Sequence, residues 1–131
     1  MRLLLDTHIA LWAIADDPKL PAKARALIMD ADNTIAVSAA SVWEIAIKHA
    51  LARGGQNAMP ISGTQALKYF RAAGYEMLPV TAVHSAAIER LKPRHADPFD
   101  RMLVAQAMSE PMRLLTHDKQ VADYNDTIIL A

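Results

Sequence analysis

Short runs of strand length, mostly apolar, alternate along this chain with stretches whose apolar residues recur at the helical period. Leu3-Leu4-Leu5 shows no polar alternation, so a strand built from it is buried on both faces. Thr34 to Val37, Glu76 to Val80, Arg113 to Thr116 and Thr127 to Leu130 read as further strands. Helices are expected over Ala22 to Asp30, with Pro21 in the first turn, and over Val42 to Leu51, where residues 42, 43, 46, 47, 50 and 51 are apolar. Further helices read over Gln65 to Ala73, Ala82 to Leu91 and Phe99 to Met108, with a helical turn at Val121 to Tyr124. Gly54-Gly55 ends the Val42 helix and a linker runs from Gln56 to Ser62, while Lys92-Pro93-Arg94-His95 forms a basic turn. Such alternation predicts an α/β fold with a mostly parallel sheet covered on both faces.

At 131 residues the chain reads as a single domain, 1–131, with no internal repeat. That length buries roughly two-thirds of the unfolded surface. Lys and Arg number 14 and Asp and Glu 14, so bulk charge does not pull the chain toward nucleic acid, and any such contact must be local. The chain has no cysteine, which excludes disulfides, thiolate metal sites and a cysteine nucleophile, and suits the cytoplasm. Met1-Arg2 followed by apolar residues imitates a secretory leader, but Asp6 and His8 interrupt the run, so secretion is not expected. No stretch reaches the ~20 apolar residues of a membrane span.

In a parallel sheet every strand-to-helix junction falls on one edge, and residues distant in sequence converge there. Asp6, Glu44, the Asp97/Asp100 pair and Asp118 all sit at such junctions. Each has a structural explanation. Asp6 is suited to cap a helix starting near Thr7, and Asp118 to cap the turn that follows it. Ser41-Val42-Trp43-Glu44 matches a capping box, and Lys48 stands i+4 from Glu44. Asp97 precedes Pro98 and suits the N-cap, which leaves Asp100 in the first turn as the freer ligand.

Taken together the acids ask for more. Two carboxylates about 4 Å apart repel by ~4 kcal/mol at an effective dielectric near 20. Several on one edge are costly unless they are splayed, protonated or bound to a cation. Mg²⁺ and Mn²⁺ suit such oxygen donors, whereas the five histidines form no i,i+3 or i,i+4 zinc pair. A carboxylate titrating near 4 is a poor base for water at neutral pH, but a bound cation acidifies its water and neutralises charge on a phosphate oxygen. The acids are therefore expected to bind metal and position water. Thr7, Ser38, Ser41 and Thr116 are candidates to orient them, each also explicable by capping or strand-end bonding.

The segments LLLDTHIALW, SAASVWEIAIK, HADPFDRMLVAQA and LLTHDKQVADY resemble the PIN-domain family, specifically its VapC-like toxin branch, over essentially the whole chain. The resemblance implies an α/β/α sandwich and Mg²⁺- or Mn²⁺-dependent cleavage of RNA. It also implies inhibition by a cognate antitoxin, and homodimerisation. Carried over by position, the family's acids fall on Asp6, Glu44, Asp100 and Asp118, with Asp97 competing for the third place. Asp6, Asp100 and Asp118 are then the metal ligands. Arg101 and Lys119 are candidate RNA contacts, in a patch with Lys48, Lys92, Arg94 and His95. Arg101 could instead pair with an adjacent acid. Two other readings stand beside this one. A haloacid-dehalogenase-like phosphatase would want a second aspartate where the chain has His8, and a non-catalytic module would keep the fold only to bind protein. Leu11, Trp12 and Leu51 could line a partner groove, though core packing is expected for them.

Overall fold

A computed structural model describes residues 1–52, 59–93 and 97–131, without the side chain of Ala52. The described residues form β1 (Arg2–Leu5), α1 (Thr7–Ala15), α2 (Ala22–Met29), β2 (Thr34–Ser38), α3 (Ala39–Ala52), α4 (Gly63–Ala72) and β3 (Glu76–Leu78). They continue with α5 (Ala82–Ala87), a 3-10 turn (Ile88–Arg90), α6 (Pro98–Ser109), β4 (Arg113–Thr116), α7 (Lys119–Ala122) and β5 (Ile129–Leu130). The five strands pair in the order β3-β2-β1-β4-β5, and every pairing is parallel. This is the expected α/β class, with the sheet wholly parallel.

The apolar runs are explained by where their side chains go. Leu3 and Leu5 join Ile9, Ile35, Val37, Ile45, Phe70 and Leu115 on one face of the sheet. Leu4 points the other way, into a cluster with Ala36, Leu78, Leu103, Val104 and Leu114. Helices α1 to α4 cover the first face, and α5 to α7 the second. A strand with a core on each side has no position for a polar residue, which is why β1 reads as unbroken leucine. Gly63 brings α4 against α3. A Cβ there would stand 2.7 Å from the Cβ of Ala46, so a larger residue would push the helices apart.

Several boundaries differ from the sequence reading. Helix α3 starts at Ala39, directly from β2, with the Ser38 hydroxyl accepting from the Ala40 amide at 3.0 Å. Ser41 and Glu44 therefore lie inside the helix, and the Ser41 capping box does not form. Capping boxes form instead at α4, where Ser62 and Gln65 satisfy each other's amides, and at α5, where Thr81 and His84 do the same. Helix α7 forms at Lys119–Ala122, two residues early, because Asp118 caps it. Residues 88–90 are a 3-10 turn where a continuous helix was expected, and β3 stops at Leu78, short of Val80. Gly54-Gly55, part of the Gln56 to Ser62 linker, and Arg94 and His95 lie outside the described residues.

Strand β1 is central, and the order reverses beside it: β2 and β3 lie on one side, β4 and β5 on the other. The carboxyl ends of β1 and β4 thus flank the switch point, where open parallel sheets form their crevice. Among the described residues no helix is long and apolar enough to cross a membrane.

Candidate active site

Asp6 leaves the end of β1 at this switch point. Its amide donates to the carbonyl of Leu115 at 3.0 Å, extending the β1–β4 ladder by one residue. Its Oδ1 accepts from the Ile9 amide at 2.9 Å, the N-cap bond of α1. Its Oδ2 accepts from the Thr116 hydroxyl at 2.5 Å. Thr116, having given its proton to Asp6, accepts from the amide of Asp118 at 3.0 Å. One hydroxyl therefore ties the two acids at the crevice together. Asp118 also caps α7 through the Gln120 amide at 2.8 Å. Burial raises the proton affinity of Asp6, while the bonds from Thr116 and Ile9 act against that shift.

Glu44 reaches the site from the second turn of α3 and is 4% exposed. Its Oε1 accepts from the Thr7 hydroxyl at 2.6 Å, and its Oε2 pairs with Lys48 at 2.6 Å. Thr7 has a single hydroxyl proton, which the carboxylate takes, so Ser41 at 3.0 Å is left to donate back to Thr7. Thr7, Ser41 and Thr116 thus each contact an acid or the hydroxyl that orients it. Ser38 does not; its hydroxyl serves only the Ala40 amide.

Asp97 and Asp100 divide as their positions suggest. Asp97 Oδ1 accepts from the amides of Phe99 at 2.9 Å and Asp100 at 3.2 Å, so Asp97 is the N-cap of α6. The Asp100 carboxyl is half-buried, and its pKa is pushed up to about 7. Burial is the main cause, followed by the negative charges of Asp97, Glu44, Asp6 and Asp118. All five sequence-nominated acids therefore lie within electrostatic reach of one point. Among the described residues, only Glu44 of the five has an ion-pair partner.

The donor set is made of oxygen, is negatively charged and is under mutual repulsion, which fits a hard divalent cation. Among the described residues, however, no three His, Cys, Asp or Glu side chains form a ready ligand group. The fit is therefore to an ion that keeps much of its water and takes only one or two carboxylates directly, as Mg²⁺ does.

The basic residues behave differently. Arg101 donates to the carbonyl of Lys92 and to the hydroxyl of Tyr124, each at 3.0 Å, and lies over the Tyr124 ring. It pairs with neither adjacent acid; its guanidinium joins α6 to the turn before it and to the segment after α7. Lys119 is exposed in the first position of α7, beside Asp118. Sequence reasoning missed two aromatic groups flanking the acids. His8, Trp12 and His117 form a chain of ring contacts on one side, and Trp43 packs edge-on against Phe99 on the other. The signal was available at Trp43 and Phe99, which directly precede Glu44 and Asp100.

Next to His8 and Lys48 opens a groove of about 1090 Å³ between α1, α3 and α4. Leu11, Trp12 and Leu51 all line it. Leu11 is also part of the core, as expected, but Leu51 is 77% exposed, which corrects its assignment to core packing.

The family profile for the PIN domain matches residues 3–126. Ribonuclease VapC22 of Mycobacterium tuberculosis is 32% identical over 124 residues, spanning 93% of this chain and 91% of that protein. Among solved structures, VapBC2 of Rickettsia felis, bound to a DNA fragment from its promoter, aligns with a TM-score of 0.68 at 20% identity. The alignment covers 100% of this chain and 98% of that one. VapBC-5 of M. tuberculosis, from a family of toxin-antitoxin systems, aligns with a TM-score of 0.63 at 20% identity, covering 99% and 98%. The haloacid-dehalogenase alternative gives way to these matches. The chain belongs to the PIN domain family, on its VapC-like branch.

Proposed function

We propose that this protein is a Mg²⁺- or Mn²⁺-dependent endoribonuclease, hydrolysing RNA phosphodiester bonds as the toxin of a toxin–antitoxin pair. The observation that carries the reading is the convergence of Asp6, Glu44, Asp97, Asp100 and Asp118 at the carboxyl edge of the sheet, close enough that burial and then the other four acids push the Asp100 pKa up. A field of that kind is relieved by a divalent cation. The name of the relative, Ribonuclease VapC22, supports the nuclease class.

In this reading Asp6, Asp100 and Asp118 would hold the ion, one or two of them directly and the rest through its water, and Glu44 and Asp97 add negative charge around it. A bound ion supplies a Lewis acid for a phosphate oxygen and a more acidic water. The chain's own part is positioning. Thr116 and the Ile9 amide fix both oxygens of Asp6 before substrate arrives. Thr7 and Lys48 do the same for Glu44. The Asp100 pKa of about 7 belongs to the ion-free site; with a cation bound, its carboxyl would be held ionised as a ligand. Lys119, exposed beside Asp118, is available to an RNA phosphate, whereas Arg101 is engaged with Tyr124 and the Lys92 carbonyl.

The solved neighbours are VapBC complexes, which supports an antitoxin as partner. The groove beside His8 and Lys48 is the seat we assign to it. Homodimerisation and a cytoplasmic location belong to the same proposal. The groove also keeps a second reading in view, that of a protein-binding module without catalysis. One experiment separates them: purified protein freed of any partner is assayed on RNA with Mg²⁺ or Mn²⁺ and with EDTA. Metal-dependent cleavage that disappears in Asp6→Ala supports the nuclease. Cleavage undiminished by that substitution rejects the mechanism. No metal binding and no cleavage of any RNA favours the binding module.

A further inference from the structure

Trp43 is 62% exposed, an unusual position for one of the two tryptophans of the chain. It projects from the second turn of α3, immediately before the buried Glu44. Phe99, immediately before Asp100, meets its ring edge-on, with centroids 5.2 Å apart and planes at 72°. In a parallel α/β sheet the helices run opposite to the strands, so the first turns of α3 and α6 both lie at the carboxyl edge where the acids gather. The aromatic pair therefore bridges the mouths of two acid-bearing helices on their outer side.

We infer that Trp43, braced by Phe99, is a stacking platform for one unpaired base of the RNA strand next to the scissile phosphate. The inference rests on the nuclease reading and adds a positioning residue to it. Two observations support it. The contact with Phe99 restrains the indole, so less freedom is lost when a base lands on it. Glu44 and Asp100 directly follow Trp43 and Phe99 in the chain, which sets the ring pair beside acids of the site proposed to hold the ion. A surface that takes the base while the acids and their cation take the phosphate divides one nucleotide between two chemistries. Every base has a π-face, so such a platform selects single-stranded over duplex RNA and favours larger rings only modestly.

The test compares wild-type protein, Trp43→Ala and Trp43→Phe on a short unstructured oligoribonucleotide and on versions carrying one abasic residue at each position in turn. Trp43→Ala should raise KM about tenfold, on the scale of one lost base stack, with kcat within about twofold, and Trp43→Phe should fall between. One abasic position should cost the wild-type protein the same factor and cost Trp43→Ala nothing further. An unchanged KM in Trp43→Ala, or abasic penalties equal in the two proteins, overturns the platform. So does a change in the solution mass of Trp43→Ala, which would mean that the indole covers an interface between copies. If the wild-type protein cuts other RNA but none of these unpaired strands, the platform falls alone; if it binds no metal and cuts no RNA at all, the nuclease reading falls and the platform with it.

Discussion

Asp6 and Asp100 are both carboxylates made harder to ionise by burial, yet the fold treats them in opposite ways. Asp6 receives an amide and a hydroxyl, one on each oxygen, and these work against the burial penalty. Asp100 receives four further negative charges instead, and its pKa climbs to about 7. The first acid is built into the scaffold, and its bonds would be there whether or not it did chemistry. The second is left in an unfavourable field that nothing among its described neighbours offsets. The contrast shows that capping alone accounts for one acid and not for the other.

The largest expected effects test both ends of this contrast. Asp6→Ala and Asp100→Ala should each lower kcat/KM for RNA on the order of a hundred- to thousandfold, the scale for removing one charged group from a transition state. Circular dichroism should show both still folded. An Asp100→Ala protein as active as wild type would break the comparison. Thr116→Val comes next. It keeps the shape but removes the hydroxyl between Asp6 and Asp118, and should weaken Mg²⁺ or Mn²⁺ binding about ten- to a hundredfold by titration. Unaltered metal affinity would reduce that hydroxyl to a strand-end bond.

The smallest effects are thermal. Asp100 has a folded pKa of about 7 against an ordinary value of 3.8, so the folded state binds the extra proton in between. Its contribution to stability is fully present below about pH 4 and is lost as pH rises through about 7. In EDTA, the melting temperature should therefore have a downward component between about pH 4 and 7, which Asp100→Asn removes and saturating Mg²⁺ reverses. At pH 8 in EDTA, Asp100→Asn should melt a few degrees higher than wild type, and Asp6→Ala lower. Melts that move together would show that the two acids do not differ as described.

Much of this was readable in the residues. The strands were legible because a core on each side of β1 forces an unbroken apolar run. The acids were legible because parallel topology sends all junctions to one edge. The start of α3 was misread for a physical reason: Ser41 and Glu44 satisfy the local capping pattern, but the chain passes straight from β2 into the helix and Ser38 takes the amide. Leu51 was misplaced because its period matches the buried face, while the groove beside it leaves it open. Local patterns cannot reveal tertiary partners. Arg101 reads as free until Tyr124, 23 residues on, folds back onto it. For the same reason, nothing near Asp6 in the sequence announces the hydroxyl that holds it.

That last bond spans 110 residues. During synthesis Asp6 emerges 110 residues before Thr116, and Asp118 later still. A nascent chain that has released every helix up to α6 still lacks the strand that locks its acidic corner. If the chain is the nuclease proposed above, its acidic corner cannot be completed on the ribosome until β4 has emerged, a safeguard set by the order of the strands.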